Sequence, residues 1–219
     1  MKQIVCLLSI TNNDKIGHKF GTFESSIDLN NVFNFACKSN FRDMDYGSSA
    51  DGLSRQVDKS VRFSEISEMY FDLGTLHFKG IKLDDKNFKI DRMYEFLRYN
   101  VGGHFEAHAD RKRYKGHTHT ICVYPPQDID GGDLIIEDDL KIPMYKNAWI
   151  IVIFPIDMMH TCKPIISGTK YLFKGTAAKI SKIIPKIKST KNTKKNTKNT
   201  NKKDKRSDGI KKKKYVKRD

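Results

Sequence analysis

From residue 90 onward, the chain consists of short runs of β-branched and aromatic residues that are separated by turn-forming residues. Runs of this length and composition are typical of β-strands, and the Gly-Gly and Pro-Pro pairs between them are typical of turns. Many short strands at such spacing predict a sandwich, a barrel or a jelly roll. The predicted strands span residues 94–99, 118–124, 133–137, 148–154 and 170–177.

The run 148–154 differs from the others because both of its alternating faces are apolar. Every residue from Trp149 to Phe154 is hydrophobic. A strand with two apolar faces is buried on both sides, as in sheets that are covered by helices. We therefore expect helices to pack on the outside of the β-structure.

The first 89 residues carry helical as well as strand-like patterns, and we expect them to support the β-structure within the same domain. Apolar residues recur at i, i+3, i+4 and i+7 within 28–39, which predicts an amphipathic helix. A similar pattern predicts a second helix over 64–78, ahead of a natural stop at Gly80. The polar, Gly/Ser-rich stretch 43–60 is expected to form a mobile loop that could act as a lid.

Charge divides the chain into two parts. The sequence has 219 residues and a formal net charge of +15, but residues 181–219 alone contain 17 basic and three acidic residues. The nearly neutral body is long enough to bury one core, and it lacks the composition of a basic DNA-binding fold. The Lys/Asn/Thr-rich segment 179–219 has too few apolar residues to offset the entropy of folding, so we expect it to be disordered.

Cysteine usage and the apolar runs indicate an intracellular protein, either cytoplasmic or nuclear. The four cysteines are scattered and include no C-x-x-C pair, which argues against a disulfide scaffold and a cysteine zinc site. The apolar run 4–10 is followed by polar residues rather than by a cleavage site, so we interpret it as an opening strand. No stretch approaches the roughly 18–20 apolar residues that cross a bilayer, and no membrane association is expected.

His108 and Asp110 are the most informative pair of potential metal ligands in the sequence. On an extended strand, residues i and i+2 point to the same side, so this imidazole and carboxylate can bind one ion together. His160, which follows the strand 148–154, is the best candidate for a third ligand. Two histidines and one carboxylate form the facial triad of non-haem Fe(II) oxygenases. The pair alone is weak evidence, since a hydrogen-bonded surface histidine gives the same pattern.

Three blocks of the sequence resemble, in order and spacing, the prolyl 4-hydroxylase-like 2-oxoglutarate/Fe(II)-dependent dioxygenases. Residues 99–110 resemble the family signature Y-x-x-G-x-x-[FY]-x-x-H-x-D, and residues 131–134 resemble its G-G-x-L turn. Residues 160–171 resemble H-x-V-x-P-V-x-x-G-x-[RK]-[YW], with Cys162 where valine is usual. The resemblance covers roughly residues 90–178, the expected dioxygenase core, and it implies a mainly β fold, the double-stranded β-helix or jelly roll.

The resemblance also implies a site, with Fe2+ as the metal and with 2-oxoglutarate and O2 as cosubstrates. No catalytic side chain is implied beyond the metal ligands, which are His108, Asp110 and His160. The far carboxylate of 2-oxoglutarate needs a fixed cation, and Lys170 is placed for that role. The implied cosubstrate-binding residues are Lys170, Tyr99, Tyr124 and Thr120. The residues leave open whether ascorbate is required.

The implied activity is hydroxylation of a C–H bond, with succinate and CO2 as co-products and with peptidyl proline as the leading substrate, so a protein or peptide partner is expected. One alternative is a metal-dependent hydrolase that uses the same three ligands to activate water. Another is a catalytically weak barrel that binds nucleic acid through 181–219, whose charge favours salt-dependent phosphate contact.

Four arginines could orient a substrate, although we favour solvated surface charge for them: Arg55, Arg62, Arg111 and Arg113.

Overall fold

The computed structural model describes residues 2–10, 16–44, 46–48, 54–56, 62–81, 88–110, 116–137 and 139–179. These residues lie in one compact unit, which spans Met1–Lys182. They form one helix, α1 (Leu29–Ala36), and 19 strands. In chain order the strands are β1 (Lys2–Ile10), β2 (Ile16–Ser25), β3 (Phe41–Asp43), β4 (Tyr46–Ser48), β5 (Ser54–Gln56), β6 (Arg62–Phe63), β7 (Glu65–Asp72), β8 (Leu76–Lys79), β9 (Phe88–Ile90), β10 (Met93–Tyr99), β11 (His104–His108), β12 (His117–Tyr124), β13 (Asp130–Gly131), β14 (Leu134–Ile136), β15 (Leu140–Ile142), β16 (Ala148–Pro155), β17 (His160–Cys162), β18 (Ile165–Ser167) and β19 (Lys170–Lys179).

The larger of the two main sheets follows the order β3-β7-β10-β19-β12-β16-β1-β2-β8, and β9 also pairs with β19. Its strand β16 runs antiparallel to β12 and parallel to β1. Every residue from Ala148 to Phe154 is buried, as the two-sided apolar pattern predicts. The larger sheet is therefore covered on both faces at this strand.

The smaller sheet follows the order β15-β14-β17-β11-β6. One hydrophobic cluster joins residues of both sheets, with Tyr124 and Val152 from the larger sheet and Ile136 and Cys162 from the smaller one. Two sheets that enclose a common apolar core form the double-stranded β-helix, or jelly roll, that the family resemblance implies. The core also brings the smaller sheet, which carries the candidate metal ligands, against β12 and β19.

Helix α1 covers the other face of the larger sheet and confirms the helix expected within 28–39. It begins after Asp28, whose carboxylate accepts a hydrogen bond from the Asn30 backbone N–H at 2.9 Å and so caps the helix. The Phe33 ring packs edge-on against Phe96 and Trp149, each at 6.2 Å between ring centroids. This second apolar cluster explains why β16 is hydrophobic on both faces.

The second helix, expected over 64–78, is a wrong prediction. These residues form β7 and β8, which are joined by a turn where Gly74 has a φ of +71°. As a strand, β7 pairs with both β3 and β10, and it places Ile66 in one core cluster and Phe71 in the other. If these residues formed a helix, the backbone hydrogen bonds from β7 to β3 and to β10 could not form. Helix α1 is therefore the single helix among the described residues.

The stretch 43–60, expected to be a mobile loop, contains a short hairpin in which β4 pairs antiparallel with β5. Residues 45, 49–53 and 57–60 lie outside the described part of the chain, so the predicted lid does too. The predicted disordered segment 179–219 also lies outside it, apart from its first residue. No helix among the described residues is both long enough and apolar enough to cross a membrane.

Gly175 lies in β19 against the ring of Tyr94, and this close approach makes the glycine a test of the packing. A Cβ atom at position 175 would lie 2.5 Å from Tyr94 Cε1, and that ring is fully buried. Because a buried ring cannot move without disturbing its neighbours, Gly175→Ala should lower the free energy of unfolding by about 1–3 kcal/mol. Denaturant-induced unfolding would measure the change, and a variant as stable as the parent would contradict this packing.

Candidate active site

Strands β11 and β17 bring three potential metal ligands together in the smaller sheet. The two strands are antiparallel, with His108 directly opposite His160, and Asp110 follows two residues after the end of β11. One ligand atom from each of the three residues lies within 4.8 Å of the others. The Nε2 atoms of the two histidines lie 3.9 Å and 3.8 Å from the Asp110 carboxylate oxygens. The residues of the H-x-D pair and the distant His160 therefore meet.

Both imidazole rings are held by backbone carbonyl groups through their Nδ1 atoms. His108 Nδ1 lies 2.8 Å from the Glu106 carbonyl oxygen, and His160 Nδ1 lies 3.0 Å from that of Met158. A carbonyl oxygen only accepts, so Nδ1 must carry the proton in each ring, and each Nε2 presents a lone pair. His108 Nε2 is buried without a hydrogen-bond partner. An oriented ring with a free, buried Nε2 is what a metal ligand requires.

The surroundings keep both imidazoles neutral. Burial is the largest of the causes that lower the pKa of His108 to about 3, and the charge that a protonated His160 would carry acts in the same direction. Burial also lowers the pKa of His160, although the Asp110 carboxylate acts in the opposite direction. Aromatic rings pack on both histidines, with Phe105 at 3.5 Å from His108 and Phe154 at 4.8 Å from His160 between ring centroids. Neutral imidazole is the form that binds metals.

Two side chains hold the Asp110 carboxylate, one at each oxygen. The Thr120 hydroxyl donates to Oδ2 and the Lys174 ammonium donates to Oδ1, both at 2.6 Å. Burial acts to raise the pKa of Asp110, but the positive charge of Lys174 and these two hydrogen bonds outweigh it. The pKa of Asp110 is therefore held well below its usual range. The carboxylate is ionised and fixed in orientation next to the two histidines.

Lys170, at the start of β19, is 1% exposed, which is rare for a lysine. Its Nζ atom donates to the Gly132 carbonyl oxygen at 2.5 Å and contacts Cys162 Sγ at 3.2 Å. Its Nζ atom also lies 5.7 Å and 5.1 Å from the ring centroids of Tyr99 and Tyr124. No carboxylate of the described residues forms an ion pair with Lys170. A buried ammonium of this kind is suited to binding an anionic ligand.

Lys170, His108 and His160 line one inner cavity, and His108 and Asp110 line a larger cleft of about 840 Å³. The inner cavity measures about 30 Å³. Since this is little more than one water molecule occupies, a five-carbon dicarboxylate would need side chains at the mouth to move. Arg62 and Lys174 are long side chains that line both the cavity and the cleft.

The structure brings the sequence-predicted residues together in two groups, the three potential metal ligands and a set of three residues around the inner cavity. Tyr99, Tyr124 and Lys170 line the inner cavity, and Tyr99 lies opposite Lys170 in the pairing of β10 with β19. Burial raises the pKa of Tyr99 to about 12, so its hydroxyl stays protonated and can donate. The Thr120 hydroxyl donates a hydrogen bond to Asp110, and its expected place beside the cosubstrate stays a prediction.

Lys174 was not identified from the sequence, and Arg62 was named there as a residue that could orient a substrate, although surface charge was favoured for it. Lys174 follows Lys170 by four residues on one strand, and strand parity alone could have placed both on the same side. Arg62 was assigned to solvated surface charge, which is wrong because it is 8% exposed. The side chains of Arg55, Arg111 and Arg113 lie outside the described part of the chain.

Lys174→Met should tighten the binding of a divalent metal to the three ligands by at least about tenfold. The Lys174 ammonium repels a second cation and competes with it for Asp110 Oδ1, so removing the charge removes both effects. Calorimetric titration with Mn2+ would measure the affinity without any turnover.

Lys174→Arg retains the charge and should bind Mn2+ as the parent does. Lys141→Met is the matched control, because Lys141 pairs with Asp133 at 2.8 Å away from the three ligands. Weaker Mn2+ binding by Lys174→Met would contradict the repulsion and would mean that Lys174 mainly holds Asp110 in place.

Comparison with known proteins gives no matching family profile, but it gives several curated relatives. A PKHD-type hydroxylase from Pseudomonas paraeruginosa is 31% identical over 87 residues, which cover 35% of this chain and 38% of the relative. PKHD-type hydroxylase PiuC from Pseudomonas aeruginosa is 30% identical over 87 residues, with the same two coverages. The chain therefore matches little more than a third of the length of these relatives.

Solved structures with a similar arrangement are distant in sequence. A 2OG-Fe(II) oxygenase family oxidoreductase from Burkholderia pseudomallei is 8% identical, with a TM-score of 0.47 over 72% of this chain and 84% of that one. A prolyl hydroxylase from Trichoplax adhaerens, solved with a peptide fragment of hypoxia inducible factor, is 13% identical. Its TM-score is 0.46 over 72% of this chain and 83% of that one.

Proposed function

We propose that the chain is a prolyl 4-hydroxylase-like 2-oxoglutarate/Fe(II)-dependent dioxygenase, and that it hydroxylates a C–H bond with 2-oxoglutarate and O2 as cosubstrates. The observation that carries the proposal is the pairing of two features in one pocket. Three ligand atoms converge within 4.8 Å, and a buried ammonium without a carboxylate partner among the described residues lines a cavity that His108 and His160 also line.

His108, Asp110 and His160 would hold Fe2+. The donor set fits, because it offers two neutral imidazole nitrogens and one carboxylate and leaves the remaining positions of the ion for cosubstrates. The free, buried Nε2 of His108 supports this assignment, since an unpaired polar atom in the interior is unfavourable unless a ligand satisfies it.

Lys170 would bind the far carboxylate of 2-oxoglutarate, and Tyr99 and Tyr124 would border it. When bound together, Fe2+, 2-oxoglutarate and O2 supply the oxidation: one oxygen atom enters the substrate C–H bond, the other enters succinate, and CO2 is released. No protein side chain needs to act as a nucleophile or as a general acid in this chemistry.

The residues of this chain contribute orientation and exclusion of water. The backbone carbonyls of Glu106 and Met158 fix the two imidazole rings. Thr120 and Lys174 fix the Asp110 carboxylate and keep it ionised. Since His160 is 7% exposed and Lys170 is 1% exposed, the cation and its ligands would work in a largely dry pocket, where charge interactions are strong.

The proposed substrate is a peptidyl proline in a protein or peptide. The cleft of about 840 Å³ reaches the metal ligands and has room for several residues of an extended chain. Its wall includes the exposed apolar side chains of Tyr70 and Met93, which suit a peptide better than a small polar metabolite.

Incubating the full chain with Fe2+, 2-oxoglutarate and proline-containing synthetic peptides would test the function. We expect succinate to form together with a peptide that has gained one oxygen atom, and ascorbate can be left out of a parallel reaction to decide whether it is needed. Hydroxylation of another residue type would overturn the proline substrate alone. Absence of succinate with every peptide, together with cleavage of one of them, would favour the hydrolase.

A hydrolase that uses the same three ligands remains the alternative, but no observation favours it over the oxygenase. Activation of water requires neither Lys170 nor the two tyrosines around it. Nucleic-acid contact through 181–219 stays a prediction of the sequence. It would appear as salt-dependent RNA binding that is lost when 181–219 is removed.

A further inference from the structure

Arg62 is a buried arginine at the boundary between the inner cavity and the cleft. It lies in β6 directly opposite Phe105 of β11, the strand that ends at His108. The side chain is held from two sides: Nε donates to Ser64 Oγ at 2.9 Å, and Cζ lies 4.4 Å from the centroid of the Phe105 ring. One of these two contacts therefore comes from the strand that ends at the potential metal ligand His108.

No carboxylate among the described residues forms an ion pair with Arg62, although the residue is 8% exposed. Two other arginines of the described chain are more exposed and yet paired. Arg98 donates to Glu65 at 2.6 Å, and Arg92 lies 3.0 Å from an oxygen of Asp72. A charge withdrawn from water is unfavourable unless an opposite charge compensates it. The most buried of these arginines thus lacks the partner that the others have.

The open positions of the Arg62 guanidinium are its two terminal nitrogens, because only Nε has a hydrogen-bond partner among the described residues. Arg62 lines the inner cavity together with Lys170 and also lines the cleft. Lys174, the third cation at this boundary, already binds Asp110. Two terminal N–H groups in one plane match the two oxygens of a carboxylate.

We propose that Arg62 is an anion-binding residue of this site, and that it binds a carboxylate group brought in by a ligand. That group is supplied either by 2-oxoglutarate, at the end away from Lys170, or by an acidic side chain of the peptide substrate. Only the identity of the ligand rests on the proposed function, because the missing partner of Arg62 follows from the protein itself.

The first arm of the test is anaerobic titration of the Mn2+-loaded full chain with 2-oxoglutarate, followed by calorimetry. If the cosubstrate supplies the carboxylate, Arg62→Met should weaken binding at least about tenfold, and Arg62→Lys, which keeps a point charge, should recover part of the loss. Arg92→Met is the matched control: it removes a paired arginine at the cleft and should leave 2-oxoglutarate affinity as in the parent.

The second arm uses two fluorescent peptides, repeats of Pro-Glu and of Pro-Gln, whose binding to the parent and to the variants is followed by anisotropy. If the substrate supplies the carboxylate, the parent should prefer the Pro-Glu peptide, and Arg62→Met should lose the preference. A merely structural role of Arg62 would weaken both peptides equally. Near-ultraviolet circular dichroism checks that each variant is folded. If Arg62→Met does not fold, the same two binding measurements on Arg62→Lys test the role of Arg62.

Unchanged 2-oxoglutarate affinity together with unchanged peptide preference in the folded variants would overturn the assignment. Failure of the parent to bind 2-oxoglutarate would instead overturn the proposed function, and the peptide arm would still test Arg62.

Discussion

Replacing Asp110 with alanine should abolish metal binding and succinate formation together. The substitution removes the one charged ligand, and it leaves the Lys174 ammonium, now 2.6 Å from a carboxylate oxygen, without that partner and close to two imidazoles. A cation in that place repels the metal, so the loss should exceed that of a neutral ligand. Titration with Mn2+ and a succinate assay would measure the two effects on the same protein.

The double variant Asp110→Ala with Lys174→Met separates the two causes. It should regain part of the Mn2+ affinity without regaining turnover, because the repulsion is gone but the third ligand is still missing. Asp128→Ala is the matched control, since Asp128 also pairs with a lysine, Lys146 at 2.7 Å, but on the surface. Succinate formation at the parent rate in Asp110→Ala would contradict the assignment of this residue.

Replacing Lys170 with methionine should weaken 2-oxoglutarate binding by roughly tenfold to a hundredfold, since a hydrogen bond to a charged group contributes about 1.5–3 kcal/mol. The same change should raise the stability of the protein, because it removes a buried ammonium that has no carboxylate partner among the described residues. Opposite effects on binding and on stability identify a residue that serves a ligand rather than the fold. Calorimetric binding of 2-oxoglutarate and thermal unfolding provide the two measurements.

Lys170→Arg keeps the positive charge and should retain more 2-oxoglutarate affinity than either Lys170→Ala or Lys170→Met. Lys163→Met controls for the loss of a nearby lysine that is exposed. Equal 2-oxoglutarate affinity in the parent and in Lys170→Met would contradict the role of this lysine, and lower stability of Lys170→Met would mean that it supports the core.

The sequence was sufficient to predict that the three potential metal ligands converge and that Lys170 lies in a cavity beside two of them. The H-x-D pair was predicted from strand parity, and its ligand atoms do lie together although Asp110 lies just beyond the end of β11. The resemblance of 160–171 to a family block predicted that His160 and Lys170 share a pocket, and both line the inner cavity. The spacing of Ile66, Met69, Tyr70 and Leu73 fits a helix, but these residues lie in or just after a strand, because pairing with β3 and β10 decides their conformation. Periodicity within the segment cannot reveal such partners.

The roles of Arg62 and Lys174 were not predicted, because they depend on which charged side chains become buried when the chain folds. Arginine is usually found at the protein surface, and the burial of Arg62 follows from the pairing of β6 with β11 and from the Phe105 ring beside it. Lys174 gains its role from a 2.6 Å contact with Asp110, 64 residues earlier in the chain. Long-range contacts of this kind leave no local pattern in the sequence.

The most direct test of the proposed oxygenase site is an anaerobic titration of the full chain with Fe2+ and then with 2-oxoglutarate, followed by visible absorption. We expect one equivalent of each to bind and a metal-to-ligand absorption band to appear only when both are present, with the band lost in His160→Ala. Binding of a divalent metal without any band or affinity for 2-oxoglutarate would contradict the oxygenase account.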